Sequence, residues 1–269
     1  MLTLSLKSPP LVPLEAEAIS PDVLASLSLD EIRSRPVFLG KRQLPLDDLF
    51  TVEGSPGDEI ELRGELTKVK WIGRGMSRGR LRIVGPVGMH LGAHMKGGTI
   101  EVEGDASDWL GAEMSGGLIR VRGNVGGQAG AAYRGAASGM SGGTILIDGT
   151  AGDELGMRMK RGTIAVRGPA RDFAGLQMKG GTIILMSGAE QRTGAWMARG
   201  TIISLRSLEL VPTFAFGCDI VPSFVRLYAK HFRPHGLELP VSGGVYQRYA
   251  GDLTGLGKGE ILVWHPAAT

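Results

Sequence analysis

The chain has 269 residues, including 43 glycines and one cysteine, with 42% hydrophobic and 6% aromatic residues and a net charge of +3. The lone Cys218 excludes an internal disulfide framework and a cysteine-based metal cluster, and it fits a reducing, cytoplasmic setting. No stretch reaches the roughly 18 consecutive apolar residues of a membrane span, and MLTLSLKSPP lacks the apolar run of a signal peptide. Neither a membrane nor a nucleic-acid partner is expected. So much glycine implies either disorder or a backbone that turns many tight corners. Valine, isoleucine, leucine and methionine recur through the glycine-rich part, which speaks against disorder.

In chain order, the first predicted element is a short helix. Ser28-Leu29-Asp30-Glu31 carries a capping-box signature, and the helix runs to about Arg35. Ile60-Glu61-Leu62-Arg63-Gly64 follows as a partial repeat without its methionine. The repeat proper then recurs seven times, marked by Met76, Met95, Met114, Met140, Met159, Met178 and Met197. Their spacings are 19, 19, 26, 19, 19 and 19, one period broken by a single seven-residue insertion. Three residues after each Met stands a glycine, and two further on come Leu81, Ile100, Ile119, Ile145, Ile164, Ile183 and Ile202. A second apolar column, Ile83, Val102, Val121, Ile147, Val166 and Leu185, ends at Ser204.

The alternation Ile-x-Val-x has the two-residue period of a half-buried strand, and glycine punctuation rules out a helix. A period of 19 residues is too short for a strand–helix–strand unit of about 30. It fits one coil of a right-handed parallel β-helix, so the fold expected is all-β, with about seven to eight coils and a buried methionine column. Beyond the coils, Pro222 opens a predicted helix with Phe224, Tyr228 and Phe232 on one face, ended by Pro234. Its simplest role is to close the end of the β-helix. Gly257-Lys258-Gly259-Glu260-Ile261-Leu262-Val263 then repeats half a rung, with Leu256 at the methionine position. The expected organisation is an N-terminal extension and cap (1–58), β-helix repeats (59–205) and a C-terminal cap (206–269).

Candidate chemistry is sparse. His90 and His94 have a zinc-binding spacing, but only on a helix; in a β-helix corner that spacing is not expected to face one side. Asp105 and Asp108 form the one plausible acid–base pair, and a solvated corner is the plainer reading. The few aromatics are not expected to line up in the repeats, which counts against a carbohydrate-binding cleft. No catalytic or metal-binding residue is assigned.

The repeats GAHMKGGTIEVEG, GAEMSGGLIRVRG and GLQMKGGTIIL resemble the GxGxG-type β-helix of two groups. These are the C-terminal domain of the large chain of glutamate synthase and the C subunit of formylmethanofuran dehydrogenase. The opening VPLEAEAISPDVLASLSLDEIR, the inserted rung GAAYRGAASGMSGG and the ending YQRYAGDLTGLGKGEILV extend the second resemblance over nearly the whole chain. It implies the non-catalytic, structural C subunit of a bacterial formyltransferase/hydrolase complex. That complex handles formyl-tetrahydromethanopterin, a methanofuran-type carrier and formate in one-carbon metabolism. The implied partners are the other members of that hetero-oligomer: its amidohydrolase-like A, its B and its formyltransferase D subunits, with metals only on these. The alternative it implies is the C subunit of an archaeal tungsten or molybdenum formylmethanofuran dehydrogenase. A glutamate synthase-like module and a polysaccharide-acting β-helix enzyme rank lower.

Two surface features then stand out. Arg78, Lys96, Lys160, Arg161, Lys179 and Arg199 lie between a Met and the next Gly, with no acid in any of the seven rungs, and should stack along one edge. The resemblance implies a carrier with a glutamate-rich tail, which such an edge would hold. The insertion carries Tyr133 and Arg134, residue types favoured at interfaces, and is expected to contact another subunit.

Overall fold

The alternating rung residues form short strands, and each strand finds its hydrogen-bonding partner in the next coil. The computed structural model describes residues 1–267. Its main sheet has 13 strands, and a continuous parallel run makes up most of it. That run comprises Leu2–Leu6, Glu59–Arg63, Arg80–Val84, Thr99–Val102, Ser115–Val121, Ser141–Ile147, Arg161–Val166, Lys179–Leu185, Arg199–Ser204 and Lys258–Pro266. Register follows the sequence repeat: Leu81, Ile100, Ile119, Ile145, Ile164, Ile183, Ile202 and Ile261 are successive partners.

Two further sides close each coil. Leu66, Val87, Ala106, Val125, Ala151, Ala170 and Ala189 form a ladder of parallel bridges. On the third side Gly92 N–H donates to the Ile72 carbonyl at 2.9 Å, and the equivalent bond recurs up to Gly194 and Ala174 at 2.8 Å. The molecule is therefore a three-sided right-handed parallel β-helix, the hand that parallel strand connections strongly favour.

All seven repeat methionines are fully buried. Each reaches into the coil above, where the glycine three residues past the next methionine leaves room. A Cβ on Gly98, Gly117, Gly143, Gly162, Gly181 or Gly200 would stand 2.6–2.8 Å from the methionine methyl below, and these glycines have φ from +79° to +117°. Glycine is required there twice over, by conformation and by space.

The ends depart from the repeat. Ser28 and Glu31 form the expected capping box on the helix Leu29–Arg33. The 1–58 segment also supplies a strand, since Leu2–Leu6 pairs in parallel with Glu59–Arg63 and antiparallel with Phe50–Gly54. At the other end Lys258–Pro266 joins the parallel run beside Arg199–Ser204, and Val263 takes up the column that Ser204 interrupts. Leu256, expected at the methionine position, is instead 69% exposed, because residues 252–257 fold into a separate turn.

The C-terminal helix, Val225–Phe232, does not close the β-helix end. It lies on the outer face of the main sheet, where Phe232, Leu237 and Tyr246 pack on Leu146, Ala165, Ile184, Ile203 and Leu262. The outward strand positions explain the placement. They are Glu61, Arg82, Glu101 and Arg120 in the early coils and become apolar from Leu146 onward. The early face satisfies itself with ion pairs, Glu61 lying buried beneath Arg63 and Arg82, whereas an apolar face must be covered by other side chains. Tyr228 and Thr182 hydroxyls hydrogen-bond at 2.8 Å across this contact. Placing a charge under the helix with Ile184→Asp should release it. Amide exchange across 225–232 should accelerate by at least about tenfold while that of the inward isoleucine strands stays slow.

Candidate functional site

The corner preceding each methionine is made of left-handed backbone. All twelve non-glycine residues with positive φ among the described residues, at +52° to +67°, fall in two columns. Allowing for the insertion, one column stands five residues before the methionine: Trp71, His90, Trp109, Gln128, Glu154, Phe173 and Arg192. The other stands one residue before it: His94, Glu113, Arg158, Gln177 and Trp196. Each such residue costs roughly 1–2 kcal/mol in isolation. Hydrogen bonds to the coil above hold the corner, such as His90 N–H to Asp108 O at 3.0 Å and Trp109 N–H to Gly127 O at 2.9 Å. The turn directs both columns of side chains outward.

The aromatic residues therefore do line up, contrary to the sequence reading. Trp71 stacks on His90 with centroids 4.1 Å apart, and Trp109 follows at 6.4 Å. His90 and His94 also share a face, with centroids 5.6 and 5.7 Å from the Tyr133 ring. The left-handed turn brings His90 and His94, four residues apart, to the same side, and the coil repeat stacks Trp71, His90 and Trp109, one per coil, in a single column. Among the described residues no three His, Cys, Asp or Glu side chains come together to hold a metal.

Tyr133 covers this stack. Its ring lies 4.8 Å from Trp109, its hydroxyl is 2.9 Å from His90 Nδ1, and its N–H donates to Glu113 Oε1 at 3.0 Å. Burial, with the nearby Lys70 and Arg74 charges, lowers the His90 pKa to about 4 despite Asp108. Burial, and then Glu113, pushes the Tyr133 phenol up. The insertion continues as a strap across the corner. Arg158 Nη1 donates to the Ala136 carbonyl at 3.2 Å, and Lys179 Nζ donates to that of Ala137. Tyr133 is thus committed to its own chain, while Arg134 remains exposed. A groove of about 610 Å³ lies beyond the strap, lined by Ala136, Arg158, Gln177, Lys179 and Trp196.

All six cations of the expected basic edge are exposed, but they form two groups. Arg78 and Lys96 lie at the N-terminal end, and Arg78 is 3.8 Å from Asp58. Ser115-Gly116 and Ser141-Gly142 occupy the next two coils. Lys160, Arg161, Lys179 and Arg199 form the second group, which Lys258 extends: Lys179 pairs with Arg199, and Arg199 with Lys258. Among the described residues no carboxylate lies within 4.0 Å of this second group.

Asp105 and Asp108 are occupied structurally. Asp105 accepts the Asn124 N–H at 2.6 Å and Asp108 the Gly127 N–H at 2.8 Å, each one coil on. Asp172 does the same for Gln191 at 3.0 Å. These carboxylates bond one coil to the next.

Sequence reasoning missed the left-handed columns, although Trp71, Trp109 and Phe173 each stand five residues before a methionine. It also missed Lys258, which joins the edge only because the last strand returns in register.

The repeat, its glycine lock and its corner define a class. A family model described as GXGXG motif matches residues 59–211, and the chain belongs to that family. The whole chain is also similar to a chain of the formyltransferase/hydrolase complex (FhcABCD) from Methylorubrum extorquens, solved in complex with methylofuran. The TM-score is 0.88 at 35% identity, covering 99% of this chain and 100% of that one. The chain is similar as well to two proteins of Methanothermobacter thermautotrophicus. One is the C subunit of the molybdenum-containing formylmethanofuran dehydrogenase 1, 44% identical over 83 residues, or 30% of this chain and 21% of that protein. The other is the C subunit of the tungsten-containing formylmethanofuran dehydrogenase 2, 39% identical over 97 residues, or 34% of this chain and 36% of that protein. The match thus spans about a fifth to a third of the length of these curated relatives.

The His90 pKa gives the site a pH signature. Its folded value, about 4, lies below the ordinary 6.5, so the unfolded chain binds more protons between the two. Stability from this histidine is fully present above about pH 6.5 and is lost as pH falls through about 4. Urea midpoints measured across that window should fall less steeply in His90→Gln than in the wild type. Parallel curves would show that His90 is not the group responsible.

Proposed function

We propose that this chain is the non-catalytic, structural C subunit of a formyltransferase/hydrolase complex. In this reading the complex handles formyl-tetrahydromethanopterin, a methanofuran-type carrier and formate, and the chain assembles with the A, B and D subunits. The observation that carries the reading is the end-to-end likeness to a chain of the complex solved with methylofuran. The dehydrogenase relatives match over 83 to 97 residues only, so the hydrolase complex is the better fit to the whole chain. The residue chemistry supports a scaffold: Asp105 and Asp108 hold backbone, and His90 is engaged by Tyr133. No cofactor or metal is assigned to this chain itself.

Within that complex, Lys96, Lys160, Arg161, Lys179 and Arg199, with Arg78, are the residues proposed to contact an acidic carrier tail. Exposed cations without carboxylate partners, as all of these but Arg78 are among the described residues, attract a flexible polyanion at long range and lose that attraction in salt. Arg134, exposed beside the anchored Tyr133, is proposed as a contact to another subunit.

Purified from its source, the chain should bring down an amidohydrolase-like partner; a monomer without partners refutes the scaffold. Changing Lys96, Lys160 and Arg161 to Glu, with Lys179 kept because it holds the strap, should leave assembly intact and raise the apparent KM for carrier by about tenfold or more, more so at low salt. Unchanged carrier kinetics in an intact complex would reduce the edge to a solvated surface.

A further inference from the structure

Three large apolar side chains are exposed together where the left-handed corner ends. Trp196 is 60% exposed, Leu253 59% and Leu256 69%. Trp196 is the last member of its column, and the turn at 252–257 is tied to its backbone where another coil would continue, the Asp252 N–H donating to the Met197 carbonyl at 3.3 Å. Asp252 fixes that turn. Its carboxylate accepts the Trp196 N–H at 2.9 Å and the Thr254 N–H and hydroxyl at 2.9 and 2.7 Å. Burial alone pushes the carboxyl up, but the hydrogen bonds from Thr254, Trp196 and Thr213 outweigh it and hold the pKa below its ordinary value. The patch is therefore built on a rigid support.

The coil does not need a tryptophan there. Gly75 occupies the same position in the first methionine coil, also with positive φ, and is the cheaper residue for it. Large apolar side chains exposed together on a fixed turn mark a surface that something else covers. Beside it, Arg199 and Lys258 are paired across adjacent strands, roughly 4.8 Å apart, and among the described residues no carboxylate lies within 4.0 Å of either. Like charges facing each other in a sheet are unfavourable until a counter-charge arrives. An apolar centre with a tryptophan anchor and a charged rim has the anatomy of a protein–protein contact.

We infer that this end corner docks a partner protein presenting an apolar seat ringed by carboxylates. The inference rests on the reading of the chain as part of a hetero-oligomer. A second copy of this chain is the wrong occupant, because its own cationic rim would meet the first.

Hydroxyl-radical labelling of the intact complex and of the isolated chain tests this directly. Trp196, Leu253 and Leu256 should be protected by at least about fivefold in the complex, since a buried contact excludes the radical with its water. Equal labelling in both states overturns the inference. As a second arm, Trp196→Ser with Leu256→Ser should weaken partner retention by about 30-fold or more, and Lys258→Glu, outside the proposed carrier edge, should weaken it most at low salt. The thermal midpoint of the isolated Ser variant should match the wild type. Undiminished retention in these variants, or loss of self-association alone, also overturns it. A wild-type chain that purifies without partners refutes the hetero-oligomer reading itself. A complex whose Trp196 labels freely refutes only the docking corner.

Discussion

Each coil is locked to the next by a methionine methyl seated against a glycine. The contact recurs from Met76 and Gly98 to Met197 and Gly259, and every methionine in it is fully buried. A methyl against a bare Cα leaves no void, and close packing of this kind is where interior stability is most sensitive to a single carbon. The contact also fixes register. A slip of one residue would set a side chain where only glycine fits and would turn the isoleucine ladder outward. The first glycine of the series, Gly79, has no methionine beneath it; Pro21 and the Asp58 carbonyl take that space, so the N-terminal cap is shaped to the same lock.

A spine specified so tightly leaves the outside free to vary. The left-handed corner accepts tryptophan, histidine, glutamate, arginine or glycine in the same backbone, because its side chains point into solvent. Those positions carry the aromatic stack, Arg158 beneath the strap, and the exposed Trp196. The acidic corner serves the spine instead, through Asp105, Asp108 and Asp172 capping amides one coil on. Chemistry at the surface and chemistry of stacking are thus divided between different edges of one prism.

Much of this is legible in the sequence because the period is exact in its apolar positions. The methionines, the isoleucine ladder, the capping box at Ser28 and the returning strand at Ile261 all stand where the spacing puts them. What escapes is conformational or long-range. Nothing in residue type announces that His90 and His94 take left-handed φ, so a four-residue spacing reads as facing two sides when it faces one. The strap's contacts reach forward to Arg158 and Lys179, beyond the reach of local pattern. Its own pattern does not place the helix at Val225–Phe232 on the sheet; the switch of outward residues from Arg120 to Leu146 marks the face that needs covering. Leu256 follows the spacing of a methionine but not its environment, since Asp252 diverts the turn.

The lock is open to a direct measurement at Met178 and Gly200, where a Cβ on the glycine would stand 2.8 Å from the methyl and no closer than 3.1 Å to backbone. Urea denaturation of Gly200→Ala, Met178→Ala and the double variant gives a closed cycle. Alanine at Gly200 should cost about 2 kcal/mol or more alone and at least about 1 kcal/mol less once Met178 is truncated, because the methyl it strikes is gone. Penalties that add to within about 0.5 kcal/mol would show that the two residues do not bear on each other and would contradict the lock.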